Sequence, residues 1–147
     1  NVALNSFTNS ALCYKNAICG DCGRRVLARK KNDTGGGSVY LSSERGRFFL
    51  NEEVEAVTLE QVFAICGIPK IDLLKVDCEG CEYEIFYRLP IDLLSEIKEI
   101  IVEYHTHTIS DWFNEKERLK GYFHKSGYIV NEFCNYIHVW RQSSELT

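Results

Sequence analysis

A short apolar run that leads directly into an acidic turn limits most strongly what this chain can fold into. Residues 71–76 carry Ile, Leu, Leu and Val, with Asp72 near the start and Lys75 as the polar residue further along. A segment of this length and composition is typical of a central strand in a parallel sheet, where helices cover both faces. We therefore predict such a strand at residues 71–76. We also expect Lys75 to pair with a nearby carboxylate, since an unpaired buried ammonium group is unfavourable.

Helix and turn signals place further elements on both sides of this strand. Thr58 and Gln61 match a capping box, and Gly67 can adopt the left-handed conformation that ends a helix, so we predict a helix at residues 59–66. Apolar residues at helical spacing predict another helix at residues 111–125. The remaining predicted elements are strands at residues 11–18, 24–29, 54–57, 100–103, 128–133 and 136–140, a helix at residues 81–89, and a further helical segment from Pro90 to residue 97.

The order of these elements predicts an α/β fold. Strands and helices alternate after residue 54, which is typical of an open sheet with right-handed crossovers. We expect the last two strands to form an antiparallel pair and the first two to form a hairpin. The predicted organisation is a single domain over residues 1–147, with a strand-rich part at residues 1–57 that includes a flexible Gly-rich loop at residues 33–38, and an alternating core at residues 58–147.

Charge and hydropathy exclude two classes of partner. The net charge of −4 and the pI of about 5.6 are at odds with the basic face that nucleic-acid binding needs, so we expect no nucleic-acid partner. No apolar run approaches the ~18 residues of a membrane span, and the first residues lack the pattern of a signal peptide. We therefore expect no membrane association and a cytoplasmic location. The absence of methionine suggests a fragment or a processed product.

The seven cysteines do not form the pattern of a secreted disulfide framework, because their number is odd and the chain is large enough to build its own core. Two pairs with CxxC spacing are present, Cys19 with Cys22 and Cys78 with Cys81. Together they could supply four thiolates to a zinc ion. The alternative is that these residues are buried or free thiols, because Cys78 ends an apolar strand and would point into the packing.

Candidate catalytic side chains follow the predicted carboxyl ends of two neighbouring strands. Asp77, Glu79 and Glu82 come after the apolar strand, and Glu103 and His105 end the next one. In open α/β sheets, ligands bind at these strand ends. A carboxylate or an imidazole there can take the proton of a hydroxyl group, and carboxylates can bind a divalent cation. The candidate catalytic residues are Asp77, Glu79, Glu103 and His105, and the candidate cation ligands are Asp77, Glu79 and Glu82.

A simpler interpretation of the acidic turn remains open. Asp77 and Glu79 could cap the helix that follows, since carboxylates near a helix amino end gain about 0.3 to 1 kcal/mol from its dipole. One acidic residue often suffices for a cap. Three acidic residues within six exceed what a cap needs.

Three segments carry a resemblance to a known family. They read VTLEQ at residues 57–61, IDLLKVDCEGCE at residues 71–82 and IIVEYH at residues 100–105. In order and spacing they resemble the FkbM family of S-adenosylmethionine-dependent methyltransferases, over essentially the whole chain and matching the later two-thirds of the family domain. Cys78 and Cys81 stand where the family motif has Val and Ala, which favours a packing role for both thiols.

The resemblance implies a Rossmann-like methyltransferase sheet and S-adenosylmethionine as the cofactor. It also implies a small-molecule acceptor, with methyl transfer to a hydroxyl group of a sugar or natural product. By resemblance only, Asn16 and Ala17 border the adenine of the cofactor. An alcohol is a poor nucleophile until its proton is taken, and the four candidate catalytic residues or a metal ion would serve this step.

The resemblance also predicts an amino-terminally truncated domain. The family binds its cofactor through a Gly-rich turn after its first strand and an acidic residue after its second, and residues 35–37 are no counterpart because they do not join a strand to a helix. The strand at residues 71–76 would then lack a neighbour, and an exposed apolar edge promotes association. We expect either the amino-terminal strands or a second copy of the chain to cover this edge. The alternative function is a non-catalytic remnant that serves as an interaction or oligomerisation module.

Overall fold

A computed structural model describes residues 2–30, 37–39, 49–105 and 112–142. The strands lie in two four-stranded mixed sheets, with the orders β1-β4-β2-β3 and β5-β6-β8-β7. The strands are β1 (Asn16–Ile18), β2 (Gly23–Lys30), β3 (Gly37–Ser38), β4 (Phe49–Val57), β5 (Ile71–Val76), β6 (Ile97–Glu103), β7 (Ile129–Phe133) and β8 (Tyr136–Trp140), and the helices are α1 (Leu59–Cys66), α2 (Glu82–Arg88), α3 (Ile91–Ser95) and α4 (Trp112–Lys125).

The carboxyl-terminal sheet has one well-buried face. Strands β5 and β6 are parallel, while β8 is antiparallel to both β6 and β7. Residues Ile100 and Val102 of β6, and Ile137 and Val139 of β8, are completely buried and alternate with less buried neighbours. Helices α2 and α4 cover this core, where the rings of Phe86 and Phe123 meet edge to face at 4.9 Å. The predicted mixed α/β class and the antiparallel terminal pair are confirmed.

Strand β5 has the predicted bounds, and among the described residues it lacks a neighbour on one side, as the family resemblance implied, rather than the central position that its composition predicted. Within the described residues it is the edge of its sheet, paired with β6 alone. The Leu73 side chain is 54% exposed, so the expectation of a central strand covered on both faces is wrong for this part of the chain. The difference arises because no described strand lies on the outer side of β5. Its apolar composition alone could not reveal this.

The amino-terminal sheet departs further from the prediction. Strands β1 and β2 do not form a hairpin, because β4 lies between them. Strand β2 pairs with β4 over eight residues, whereas β1 has only three residues and pairs with β4 in parallel. The longer ladder explains the preference for the β2–β4 pairing. The amino-terminal strands pair with one another, so their expected pairing with the edge of β5 is also wrong for the described residues.

Helix α1 follows the predicted local chemistry. The Gln61 backbone N–H donates to Thr58 Oγ1 at 3.2 Å, and the Thr58 N–H donates to Gln61 Oε1 at 3.0 Å. Gly67 ends the helix with a φ of 61°, in the left-handed region. The capping box and the bounds of this helix are confirmed because every determinant lies within ten residues of sequence.

The other elements differ from the prediction mainly in their ends. Strands β4 and β6 begin earlier than expected, at Phe49 and Ile97, and the helical segment after Pro90 is short. Of the predicted Gly-rich loop at residues 33–38, Gly37 and Ser38 form β3, while residues 33–36 lie outside the described residues. None of the helices in the described part of the chain combines the length and the apolar character that crossing a membrane requires.

Candidate functional site

The acidic turn after β5 lies beside the end of β6. Val76 and Val102 are partners in the parallel ladder, so the two strands end side by side. The Nε2 atom of His105 lies 3.5 Å from Glu79 Oε2 and 3.9 Å from Asp77 Oδ1. The structure therefore brings together the carboxylates and the imidazole that the sequence placed at neighbouring strand ends.

Glu82 is the buried centre of this group. Its side chain is completely buried, and its carboxylate accepts hydrogen bonds from the backbone N–H groups of Cys78 and Gly80 at 3.0 to 3.2 Å. His105 Nδ1 lies 2.6 Å from Glu82 Oε1. Because an ionised carboxylate has no proton to donate, Nδ1 is the donor of this bond. Glu82 thus shapes the turn and orients the imidazole so that Nε2 faces Asp77 and Glu79.

The backbone of the turn is unusual at two successive residues. Glu79 has a φ of 52° and Gly80 a φ of 123°, and the second value is readily adopted only by glycine. A left-handed non-glycine residue carries a backbone strain of order 1 kcal/mol. The Ser38 hydroxyl donates to the Glu79 carbonyl oxygen at 2.6 Å and supports this conformation from β3.

The helix-capping interpretation of the acidic turn does not describe this geometry. Helix α2 has Cys81 at its N-cap, and no side-chain hydrogen bond caps it. Asp77 instead accepts from Lys75, and Glu79 faces the imidazole of His105. The turn therefore directs its carboxylates towards the end of the neighbouring strand rather than towards its own helix.

Lys75 joins Glu103 to the group. Its ammonium nitrogen lies 2.7 Å from Asp77 Oδ2 and 3.5 Å from Glu103 Oε2, which confirms the predicted ion pair. The hydrogen bond to Asp77 raises the pKa of Lys75. The Lys75 side chain is half exposed, so the ion pair is not explained by the cost of burying an ammonium group, as the sequence had suggested. Glu103 also accepts from Asn135 Nδ2 at 2.9 Å, a contact that the turn between β7 and β8 supplies and that our sequence reasoning missed.

A cavity of about 760 Å³ lies between the amino-terminal sheet and the acidic turn. Asn16 and Ala17, the predicted cofactor-binding residues, line it together with Asp77. Other polar residues in its lining are Lys15, Glu52, Glu53, Glu55 and Lys75. One cavity therefore connects the predicted cofactor residues with the carboxylate group at the strand ends.

Potential metal ligands occur in one group within the described residues. Single ligand atoms of Asp77, Glu79 and His105 all lie within 4.8 Å of one another. Two members were predicted as cation ligands. The third predicted ligand, Glu82, contacts the opposite ring nitrogen of His105 and lies outside this group.

The four cysteines with CxxC spacing do not assemble as a zinc site. Cys19 and Cys81 are buried with their sulfur atoms 3.0 Å apart, whereas Cys22 is exposed. Cys78 is partly buried, and its burial raises the pKa of its thiol to about 12. The alternative of buried or free thiols therefore describes these residues better than the zinc hypothesis.

These features define an α/β protein with an imidazole–carboxylate group at parallel strand ends, next to a cavity of small-ligand size. Residues 1–130 match the family model described as "Methyltransferase FkbM domain". The chain belongs to this family, and the resemblance carried by its three motif segments is confirmed. Comparison with curated proteins and with solved structures gives no match.

Proposed function

We propose that this chain is an S-adenosylmethionine-dependent methyltransferase that acts on a hydroxyl group of a small molecule, such as a sugar or natural product. The observation that carries this proposal is the orientation of His105. The buried carboxylate of Glu82 engages Nδ1, and Nε2 faces the strand ends where Asp77 and Glu79 lie. Such an arrangement suits an imidazole that accepts a proton from an alcohol.

The cavity supports the cofactor part of the proposal. Its volume of about 760 Å³ falls within the range of small-molecule sites. When bound, S-adenosylmethionine supplies an electrophilic methyl group on a positively charged sulfur atom. The carboxylates of Glu53, Glu55 and Asp77 would attract that charge and accept hydrogen bonds from ribose hydroxyl groups. Asn16 and Ala17 would border the adenine, as the family resemblance implies.

The proton of the acceptor hydroxyl would pass to His105 Nε2. An alcohol becomes a much better nucleophile as this proton leaves. The ring would then carry a positive charge, which the Glu82 carboxylate at Nδ1 stabilises without itself taking the proton. Asp77, Glu79 and Glu103 would orient the acceptor by accepting hydrogen bonds from its other hydroxyl groups.

The same group also supports a second use of Nε2, as a ligand to a divalent cation. Asp77 and Glu79 would supply carboxylate oxygens, with His105 in the position that the sequence assigned to Glu82. A nitrogen lone pair that binds a cation cannot accept a proton, so the two uses exclude each other. Activity that survives dialysis against a chelator favours the base, and activity that returns only with Mg²⁺ or Mn²⁺ favours the cation.

The experiment that tests the donor is isothermal titration of the folded chain with S-adenosylmethionine. Saturable heat at micromolar to millimolar ligand is expected, and its absence at millimolar ligand would contradict cofactor binding by this chain. Transfer of labelled methyl groups to a panel of sugars and alcohols then tests the reaction. His105→Asn should remove transfer, while the matched variant His138→Asn, which alters a separate His–Glu pair with Glu99, should retain it.

The exposed edge of β5 favours a second candidate, a non-catalytic interaction or oligomerisation module. We propose that a second copy of the chain covers this edge, because Leu73 is 54% exposed on a strand with a partner on one side only among the described residues. Sedimentation equilibrium tests this directly. A dimer that Leu73→Glu converts to a monomer supports it, and a wild-type monomer at high concentration contradicts it.

Two further proposals concern the sheet topology and the location of the protein. We propose that β5 and β6, joined through α2 and α3, belong to a Rossmann-like sheet, which their parallel pairing and the antiparallel β8 support. We also propose a cytoplasmic location, which the seven cysteines support because none of them forms a disulfide in the structure. Crystallography tests the first proposal, and cell fractionation tests the second.

A further inference from the structure

Two buried cysteines connect the amino-terminal sheet to the candidate site. Cys19 follows β1, and Cys81 is the N-cap residue of α2, 62 residues further along the chain. Their sulfur atoms lie 3.0 Å apart, and the two residues are only 2% and 1% exposed. A contact this close between residues so far apart in sequence requires that both backbones be fixed by their surroundings.

Local packing fixes both backbones. The Cys19 N–H donates to the Val57 carbonyl oxygen at 3.1 Å, which extends the pairing of β1 with β4. Gly20 comes so close to α2 that an added Cβ atom would lie 2.7 Å from the Cβ atom of Glu84. Cys81 is fixed from the other side by the turn that Glu82 organises. The pair is therefore a product of the fold rather than of two mobile side chains.

We propose that Cys19 and Cys81 form a reversible disulfide that joins the amino-terminal sheet to the acidic turn. The sulfur atoms need to approach by only about 1 Å to reach the disulfide bond length of about 2.05 Å. Both residues also line the cavity, so a small oxidant such as hydrogen peroxide can reach them despite their low exposure. This proposal does not depend on whether the cavity binds a methyl donor.

Cys19 is the thiol that reacts first. The hydrogen bond from the Cys81 thiol lowers the pKa of Cys19, whereas burial raises the pKa of the neighbouring Cys78 to about 12. The thiolate is the reactive form of cysteine. The Cys19 thiolate attacks one peroxide oxygen, and with one proton taken up the products are a sulfenic acid and water.

The Cys81 sulfur then attacks the Cys19 sulfenic acid. The S–S bond forms, the S–O bond breaks, and the hydroxyl group leaves with the Cys81 proton as a second water molecule. The two thiols together lose two electrons and two protons, and one peroxide is reduced to two waters. A dithiol reductant such as dithiothreitol reverses the bond.

The bond would fix the two walls of the cavity relative to each other. Strand β1, Cys19 and part of β4 contribute to one wall, and Asp77, Cys78 and Cys81 of the acidic turn contribute to the other. A cross-link between residues 62 positions apart also restricts the unfolded chain. The oxidised protein should therefore unfold at a temperature roughly 10 °C higher than the reduced protein.

Peptide mapping can assign the bond if competing cysteines are removed. Trypsin releases Cys19 and Cys22 in one peptide, residues 16–24, and Cys78 and Cys81 in another, residues 76–88. The test protein is therefore the double variant Cys22→Ala plus Cys78→Ala, treated with a peroxide titration and digested without reductant. The linked pair of peptides, two hydrogen atoms lighter than their sum, should form and disappear with dithiothreitol.

A third substitution, which removes one of the two cysteines of the proposed disulfide, provides the control. Adding Cys81→Ala to the double variant should abolish both the linked peptides and the rise in melting temperature. If that triple variant does not fold, the presence or absence of the linked peptides in the double variant still tests the proposed disulfide. The proposal is overturned if the double variant shows no link under conditions that oxidise the exposed Cys134, or if the link forms only while Cys22 or Cys78 is present.

Discussion

The two sheets of this protein are built differently, and they contribute differently to the candidate site. In the carboxyl-terminal sheet, three residues of β6 and two of β8 are completely buried: Ile97, Ile100, Val102, Ile137 and Val139. In the amino-terminal sheet, Val26 and Leu50 of the long β2–β4 ladder remain 47% and 38% exposed. The first sheet carries the imidazole–carboxylate group, and the second supplies one wall of the cavity. We therefore expect the carboxyl-terminal sheet, which carries the reactive group, to contribute most to the free energy of unfolding. The amino-terminal sheet contributes mainly to the shape of the cavity.

The largest expected difference between the sheets concerns the core. Phe123→Ala removes a completely buried ring that packs against Phe86, and it should lower the free energy of unfolding by about 4 kcal/mol. Val26→Ala in the amino-terminal sheet should lower it by less than about 1 kcal/mol, since much of that side chain is already in water. Urea unfolding of both variants measures the contrast. Equal losses would show that the two sheets share stability evenly.

A medium effect is expected at the buried carboxylate. Glu82→Gln keeps one acceptor oxygen and replaces the other with an NH2 group that cannot accept, so at least one of the hydrogen bonds from the Cys78 N–H, the Gly80 N–H and His105 Nδ1 is lost. We expect a loss of about 2 kcal/mol in stability and a fall of about 100-fold in methyl transfer. Glu99→Gln is the matched control, because Glu99 pairs with His138 on the same sheet away from the turn. If Glu99→Gln lost as much activity as Glu82→Gln, the result would contradict a special role for the buried carboxylate.

A smaller, pH-dependent effect should appear where α4 meets β7. Hydrogen bonds from Lys116 and Lys120 lower the pKa of Glu132 from an ordinary value near 4.5 to about 2. The ionised form is thus favoured by folding, so the contribution is complete above about pH 4.5 and is lost as the pH falls towards 2. With solvent screening it should amount to about 1 kcal/mol.

The variant Glu132→Gln tests this prediction. It should be less stable than the wild type by about 1 kcal/mol at pH 7, and nearly as stable at pH 2. Glu117→Gln, which removes a more exposed partner of Lys120, should change stability little at either pH. A Glu132→Gln deficit that is the same at both pH values would mean that charge is not the cause. Chemical unfolding across the pH range provides the measurement.

The sequence predicted best what local chemistry determines. The capping box of Thr58 and Gln61 gave α1 its correct bounds, and the apolar run gave those of β5. The side-by-side ends of β5 and β6 also followed, because parallel neighbours in an alternating pattern leave few other arrangements. The roles assigned to Asp77, Glu79, Glu103 and His105 remain predictions that the experiments above address.

What the sequence did not predict depends on contacts between distant residues. Asn16 and Glu55 pair across 39 positions, and no local signal distinguishes this pairing from a β1–β2 hairpin. Ser38 in β3 and Asn135 in the turn between β7 and β8 also donate hydrogen bonds to residues of the site. The sequence around each of them gives no signal of this role. The burial of Glu82 was also not predicted. An acidic residue at the start of a helix is usually interpreted as an exposed group that interacts with the helix dipole.

Nitrogen-15 NMR of the imidazole tests most directly whether Glu82 orients His105 through Nδ1. At a pH where the ring is neutral, the account predicts that the proton resides on Nδ1 and that Nε2 carries the lone pair. In Glu82→Gln this preference should weaken or reverse. A wild-type ring protonated on Nε2, or one whose tautomer does not respond to Glu82→Gln, would contradict the account.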